Sequence, residues 1–412
     1  MSYNVSTTKH WLKGRSSCPM NHSIRHSEEI CNRLREKFTN LIPEKYMRHI
    51  VSILIAVFCV GYRGKTVDIA DHSKYHRTTI SRFLRDERWD DTPLAAAMKA
   101  LVIDTIYAES RRSGKLILVI IDDTISSKTK PSSKAKHPIE SAYFHFSHLK
   151  KKQDYGHQAL AVLLSCNGIT LEYTIEMYDK TVSKIGLVEQ IARELPDAPN
   201  GGYLLCDSWY VCGDVVETFA AKGFYTVGAL KTNRVVYPGG MKINVANYAR
   251  LLCDEYGKAL FDIVTVRKQK YYVYRYEGRL NGIKNGVVLL TYPVGAFGKE
   301  SALRAFISTD SDRSTEEILA LYVDRWQIEV FFRTIKNKLA FDKYQIRSAF
   351  GVRRFWLMMS LAYNLACLES DTYDFNDGYK RLSKVIDMEY RSYLYDLAIA
   401  SKNKSAFLEM VA

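Results

Sequence analysis

Residues 116–123 read LILVIIDD: six apolar positions in a row, most of them β-branched, closed by Asp122 and Asp123. A run this short and this apolar indicates a strand buried on both faces, as the central strands of mixed sheets are. Two acids at its end are out of place in a core, because buried carboxylates without partners are costly. Downstream lies a polar loop, SSKTKPSSKAKHP (126–138). After it, GHQALAVLLS (156–165) and ITLEYTIEMY (169–178) read as two strands joined by a Cys-Asn-Gly turn. A helix over 183–195 ends at Pro196, and YLLCD (203–207) is a short buried strand closing on a third acid, Asp207. A helix over 213–222 and a strand FYTVGAL (224–230) complete the segment.

Three strands as a meander, then strand, helix and strand, is the order of a ribonuclease H-like α/β fold with a mixed sheet. In that order the strands ending at Asp123 and Asp207 are neighbours, about 4.8 Å apart. Adjacent buried carboxylates stay ionised only if cations neutralise them, and a divalent metal is the economical reason to keep them. The aromatic and β-branched runs YYVYRY (271–276) and GVVLLTYPV (286–294) make 231–306 a β-rich insertion. The expected organisation is a helical, basic domain at 1–112, a first core part at 113–230 and the insertion at 231–306. The last core helix follows at 307–345, and C-terminal helices at 346–412.

That last helix, TEEILALYVDRWQIEVFFRTIKNKLAF (315–341), carries a polar stripe. At about 100° per residue, with Tyr322 at 0°, Arg325 falls near about −60°, Glu329 near about −20° and Lys336 near about −40°. Leu321, Ile328, Phe332, Ile335 and Leu339 form a second, apolar stripe for packing on the sheet. Val323, Trp326, Val330 and Phe331 fill much of the remaining circumference, so the helix reads as buried on several sides. Asp123, Asp207 and Glu329 together supply three carboxylates, enough for two Mg²⁺ or Mn²⁺ ions.

Tyr322-x₂-Arg325-x₃-Glu329-x₆-Lys336 resembles the Tyr-Arg-Glu-Lys signature of a group of bacterial insertion-sequence transposases of the DDE class. IDDT (121–124), CDSWY (206–210) and RWQIEVFFRTIK (325–336) are similar to that group as well. The resemblance implies a DNA transposase that moves an insertion sequence by cut-and-paste, through metal-dependent strand cleavage and 3′-OH strand transfer. It makes Asp123, Asp207 and Glu329 both the catalytic residues and the metal ligands, and Tyr322, Arg325 and Lys336 contacts to the DNA end. Asp123 precedes Thr124 as in the group's pattern; Asp122 is its rival, and only one of the two can face the metals, because neighbours on a strand point to opposite faces. The implied partners are double-stranded DNA, as terminal inverted repeats and target, and a second copy of the chain when DNA is bound. A transposase-derived DNA-binding protein and another ribonuclease H-like nuclease are the alternatives.

Composition agrees with a polyanionic partner. The chain has 412 residues, 59 Lys+Arg against 45 Asp+Glu and a net charge of +14, with 47% hydrophobic and 25% charged residues, which excludes a disordered chain. Residues 1–112 hold nineteen basic and twelve acidic residues, half of the surplus. Within them TVDIADHSKYHRTTISRFLRDERWD (66–90) resembles a helix-turn-helix, with Lys74 in the turn. Arg77, Thr78, Thr79, Ser81 and Arg82 would open the helix that enters a major groove, with Arg85 near the backbone. The loop at 126–136 has four lysines and HLKKKQ (148–153) three more, and both are candidate phosphate contacts. His145, His148 and His157 lie near the site without ligand spacing, and Trp209, Tyr210 and Trp326 read as core. The longest apolar stretch, Ile50 to Val60, is short of the roughly 20 residues a membrane span needs. With no signal-peptide pattern at the N-terminus, the expected location is the cytoplasm, at the nucleoid. Eight scattered cysteines without C-x-x-C read as thiols. Cys18, His22, His26 and Cys31 are a weaker zinc alternative.

Overall fold

Ser27 opens the first described helix, α1 (Glu28–Lys37): its hydroxyl accepts the Ile30 N–H at 3.2 Å, and Glu28 and Glu29 sit at the positive helix end. The computed structural model describes residues 27–59, 61–147 and 150–411, so Cys18, His22 and His26 lie outside it. Cys31 is buried in α1, and burial pushes its thiol pKa up. Among the described residues no cysteine forms a disulfide. The chain divides into two units, residues 1–83 with 379–412, and residues 84–378.

In the first unit, α2 (Glu44–Phe58) is the apolar run, with every residue from Ile50 to Phe58 buried. It is a core helix, and among the described residues no helix is long and apolar enough to cross a membrane. α3 (Thr66–Asp71) and α4 (Arg77–Leu84) follow. Ile69, Ile80 and Phe83 turn inward, and Phe83 stacks on His49 of α2 at 5.0 Å.

The second unit begins with α5 (Thr92–Ser113), which Gly114 ends in the left-handed conformation at φ 68°. Leu94, Met98, Val102 and Ile106, at helical spacing, bury one face of α5 against the sheet strands. This helix therefore belongs with the sheet, in contrast to the expected boundary at residue 112. The strands are β1 (Ile117–Ser127), β2 (Tyr143–Ser147), β3 (Lys152–Cys166) and β4 (Ile169–Tyr178). Then come α6 (Lys184–Glu194), β5 (Gly202–Cys206), α7 (Gly213–Ala220) and β6 (Phe224–Leu230). Ile117, Val119, Ile120 and Ile121 are fully buried, each stabilising the fold by roughly 1.5–3 kcal/mol.

After β6 the chain forms β7 (Val235–Val236), β8 (Ile243–Asn244), α8 (Val245–Tyr256), β9 (Asp262–Val266), β10 (Gln269–Leu280), β11 (Ile283–Pro293) and β12 (Arg304–Ser308). All twelve strands join one mixed sheet in the order β2-β3-β1-β5-β6-β12-β11-β10-β7-β8, with β4 on β3 and β9 on β10. β1, β5 and β6 are parallel, while β3 is antiparallel to β1 and β12 to β6. The expected insertion thus continues the sheet through β12, and it includes a helix, α8, that its aromatic runs did not announce. Gly202 is required at the β5 entry, since a Cβ there would lie 2.4 Å from the Ile117 carbonyl oxygen.

The expected long helix at 315–341 is two. α9 (Thr315–Asp324) and α10 (Trp326–Lys338) meet at Arg325, where Arg325 N–H bonds the Tyr322 carbonyl and Ile328 N–H bonds the Arg325 carbonyl, both tighter i to i+3 contacts. α11 (Ala349–Glu369) packs on β4, α12 (Phe375–Ala400) crosses into the first unit at Tyr379, and α13 (Lys404–Val411) closes the described chain.

Candidate active site

The register of two parallel strands builds the site. Ile121 pairs with Cys206, so Asp122, within β1, stands beside Asp207, the residue just past the end of β5. α10 covers the face of β1 that carries Asp122. Arg325 donates from one guanidinium nitrogen to Asp122 Oδ2 at 2.8 Å and from the other to Glu329 Oε1 at 3.0 Å. Two residues along β1, Thr124 Oγ1 accepts from Lys336 Nζ at 2.5 Å. Tyr322, at the end of α9, packs on Phe306 at 4.6 Å with the Arg325 guanidinium 5.7 Å from its ring centroid. Two members of the polar stripe read from the sequence, Arg325 and Lys336, therefore lie against the alternate residues 122 and 124 of β1.

Asp123 points the other way. Its carboxylate accepts from Gln158 Nε2 at 2.5 Å, from the Tyr210 hydroxyl at 2.6 Å and from Lys184 Nζ at 2.9 Å, on the face opposite α10. Strand alternation thus puts Asp122, and not the expected Asp123, on the side where Arg325 reaches Glu329. Asp207 Oδ1 accepts the Trp209 N–H at 2.8 Å, which fixes the turn after β5. Trp209 itself is 51% exposed, with Lys184 and Lys231 over its ring, and Trp326 and Val330 are 48% and 44% exposed. The two tryptophans are therefore not core; the apolar stripe of α10 runs instead through Ile328, Phe331, Ile335 and Leu339.

Burial dominates the electrostatics of this face. Burial, with Asp207 adding its own repulsion against the pull of Arg325, lifts the Asp122 carboxyl pKa to about 7. Burial lowers the Lys336 ammonium pKa and raises that of the Tyr322 phenol. The donors are carboxylates, the chemistry that hard divalent cations take, and Arg325 is the internal cation now bridging two of them. Among the described residues no three such side chains group closely enough to hold a metal ion, and the guanidinium stands between Asp122 and Glu329.

Residues 113–365 match the family model of the transposase DDE domain. The chain belongs to that family. A comparison with curated proteins finds no match. The match spans Asp122, Asp207 and the whole of α9 and α10, so the carboxylate face lies inside the transposase DDE domain.

The residues of the possible helix-turn-helix lie outside that domain. Arg77 and Arg82 are exposed on α4, Thr79 is half-buried, and Arg85 is exposed just after the helix ends. Sequence reasoning missed Thr124 as the Lys336 partner and Gln158, Lys184 and Tyr210 as the cradle of Asp123. The signal for the first was present in IDDT, where Thr124 stands two residues from Asp122. His157 is held between the Glu140 carbonyl and the Tyr344 hydroxyl, each at 2.8 Å, a structural role.

Proposed function

We propose that this DDE-domain transposase cuts DNA at the ends of an insertion sequence and joins the freed 3′-OH to target DNA, using Asp122, Asp207 and Glu329 as ligands of two Mg²⁺ or Mn²⁺ ions. The single observation that supports the reading is the β1/β5 register, which sets Asp122 beside Asp207, together with Arg325 of the adjoining helix bridging Asp122 and Glu329. The likeness to the Tyr-Arg-Glu-Lys signature supports it independently. Asp122 takes the role that the signature's first aspartate would give to Asp123, and Asp123 orients the strand end through Tyr210 and Lys184. The sheet order β4-β3-β1-β5-β6, antiparallel then parallel, supports a ribonuclease H-like core.

Bound divalent ions would activate water and stabilise the leaving oxygen. The chain's own residues do the rest. Arg325 leaves its bridge between Asp122 and Glu329 to take a phosphate oxygen, for which its planar donors are suited. Lys336, held by Thr124 and only part-buried, adds a second cation on the same side. Tyr322 positions the Arg325 guanidinium and borders the DNA end. Joining the 3′-OH to a target phosphate in the same site is a direct transesterification, needing no nucleotide cofactor. The exposed Arg77, Arg82 and Arg85, with Thr79, suit a helix-turn-helix contact to terminal repeats, and paired ends suit a dimer. The five-segment organisation expected from the sequence belongs to this proposal too, with the core taken to begin at α5.

The test is incubation of full-length protein with Mn²⁺ and labelled DNA from the flanks of its gene. Asp122→Asn, Asp207→Asn and Glu329→Gln each lose cleavage at least about 100-fold while binding DNA, and Asp123→Asn retains a substantial fraction. Cleavage that survives Asp122→Asn and vanishes with Asp123→Asn overturns the choice of ligand; survival in all four overturns the site.

A further inference from the structure

β2 is an edge strand with a composition that edges ordinarily avoid. Its sequence is YFHFS, and Tyr143, Phe144 and Phe146 are 36%, 50% and 54% exposed. Exposed edges usually carry charge or proline, and clustered exposed aromatic rings mark a binding surface. β2 pairs with residues 152–156 of β3, and β1 ends opposite Gly156. The two strands therefore run on past the end of β1 as a ribbon. Phe144 and Phe146 share one face by alternation, and Tyr155 joins them with its ring 5.3 Å from Phe144. Two residues along a strand span about 6.7 Å, close to two base-pair steps of about 3.4 Å.

The charge around the ribbon selects its partner. Residues 128–155 hold seven lysines against two acids. Both acids are engaged: Glu140 accepts the Ala349 N–H at 2.9 Å, and Asp154 is held by Lys150 at 2.7 Å and Ser127 at 2.6 Å. Lys130 stands 5.1 Å from the Phe144 ring centroid, which puts a cation on the aromatic face itself, and Lys151 and Lys152 are exposed on the ribbon. Lysines beside exposed rings match a strand of phosphates beside bases. A two-stranded ribbon also has the dimensions to lie in a DNA groove.

We infer that the β2–β3 ribbon grips the duplex flanking the cleavage point, with Phe144 and Phe146 wedged at base steps and the lysines on phosphates. The inference rests on the carboxylate face being the cleavage site. Ser127 is five residues beyond Asp122, about 17 Å, and the ribbon extends about 13 Å more. On a duplex running along the strands, the contact falls about five to nine base pairs from the cut. Wedged aromatic rings unstack the steps they enter.

The experiment uses full-length protein and a 40-base-pair duplex of mixed sequence carrying single 2-aminopurines. Wild type binds with enhanced 2-aminopurine fluorescence, and Phe144→Ala/Phe146→Ala loses the enhancement and at least about fivefold in affinity with an unchanged salt slope. Lys151→Glu/Lys152→Glu lowers the salt slope by about two. Equal affinity and equal fluorescence for wild type and the aromatic variant overturn the ribbon while leaving the carboxylate site standing. No duplex binding by wild type overturns the ribbon, while the carboxylate site is decided separately by the cleavage test. An aromatic variant that turns a dimer into a monomer with DNA binding unchanged assigns the face to a second copy and also overturns the inference. If circular dichroism shows the aromatic variant unfolded, the lysine variant decides: an unchanged salt slope overturns the inference.

Discussion

At the scale of single residues, the fold buries a second unusual acid. Glu172 on β4 is fully buried, with one carboxylate oxygen lacking a hydrogen-bond partner, and burial raises its pKa to about 8. Its backbone is clasped by Asn364, which accepts the Glu172 N–H at 3.1 Å and donates to its carbonyl at 2.8 Å. The sign of the pH effect follows from linkage. Between the unfolded value, near 4.5, and about 8, the folded state holds a proton that the unfolded state releases, so this group's contribution to stability falls as pH rises through that window. Glu172→Gln should therefore raise the melting temperature more at pH 8 than at pH 5. Equal shifts at the two pH values in thermal melts would show that Glu172 does not titrate in this window. Arg325 presents the opposite case, a cation that burial disfavours and that Tyr322, Asp122 and Glu329 together hold charged.

At the scale of elements, close backbone approaches fix how the helices around the sheet pack. Gly378 in α12 sits against α11 so tightly that a Cβ would lie 1.6 Å from the Ala366 carbonyl oxygen. Gly378→Ala should destabilise by about 1–3 kcal/mol or more in denaturant unfolding. A change below about 0.5 kcal/mol would mean that the two helices separate freely. The elements also show what the sequence reveals about structure and where it stops. Buried strands such as LILVIIDD and YLLCD are legible because continuous apolar runs have few other uses. β2 was illegible, since YFHFS is short and its neighbours supply only one paired side. The break at Arg325 was invisible because the side-chain period continues through it while the hydrogen bonds tighten. The choice between Asp122 and Asp123 turns on which face α10 covers, a tertiary fact that local periodicity does not carry.

At the scale of the whole molecule, the chain carries a +14 surplus of positive charge. A transposase that neutralises phosphates with this charge releases counterions, so its DNA affinity should fall steeply with salt, with a slope of about −5 or steeper in log K against log salt concentration. Titrations between 50 and 200 mM salt would read it directly, and a slope near zero would contradict an electrostatic grip. On the proposed reading such a grip and the metal site are complementary: external lysines and arginines would hold the DNA backbone, while the carboxylates would collect the cations that act on one phosphate. The central claim is that Asp122, Asp207 and Glu329 form that metal site. Anomalous diffraction from crystals of the protein bound to duplex DNA and soaked in Mn²⁺ tests it most directly. Manganese peaks within about 2.5 Å of Asp122 and Glu329 carboxylate oxygens, with Arg325 turned to a phosphate, are predicted. Peaks coordinated by Asp123, or none on this face, would contradict it.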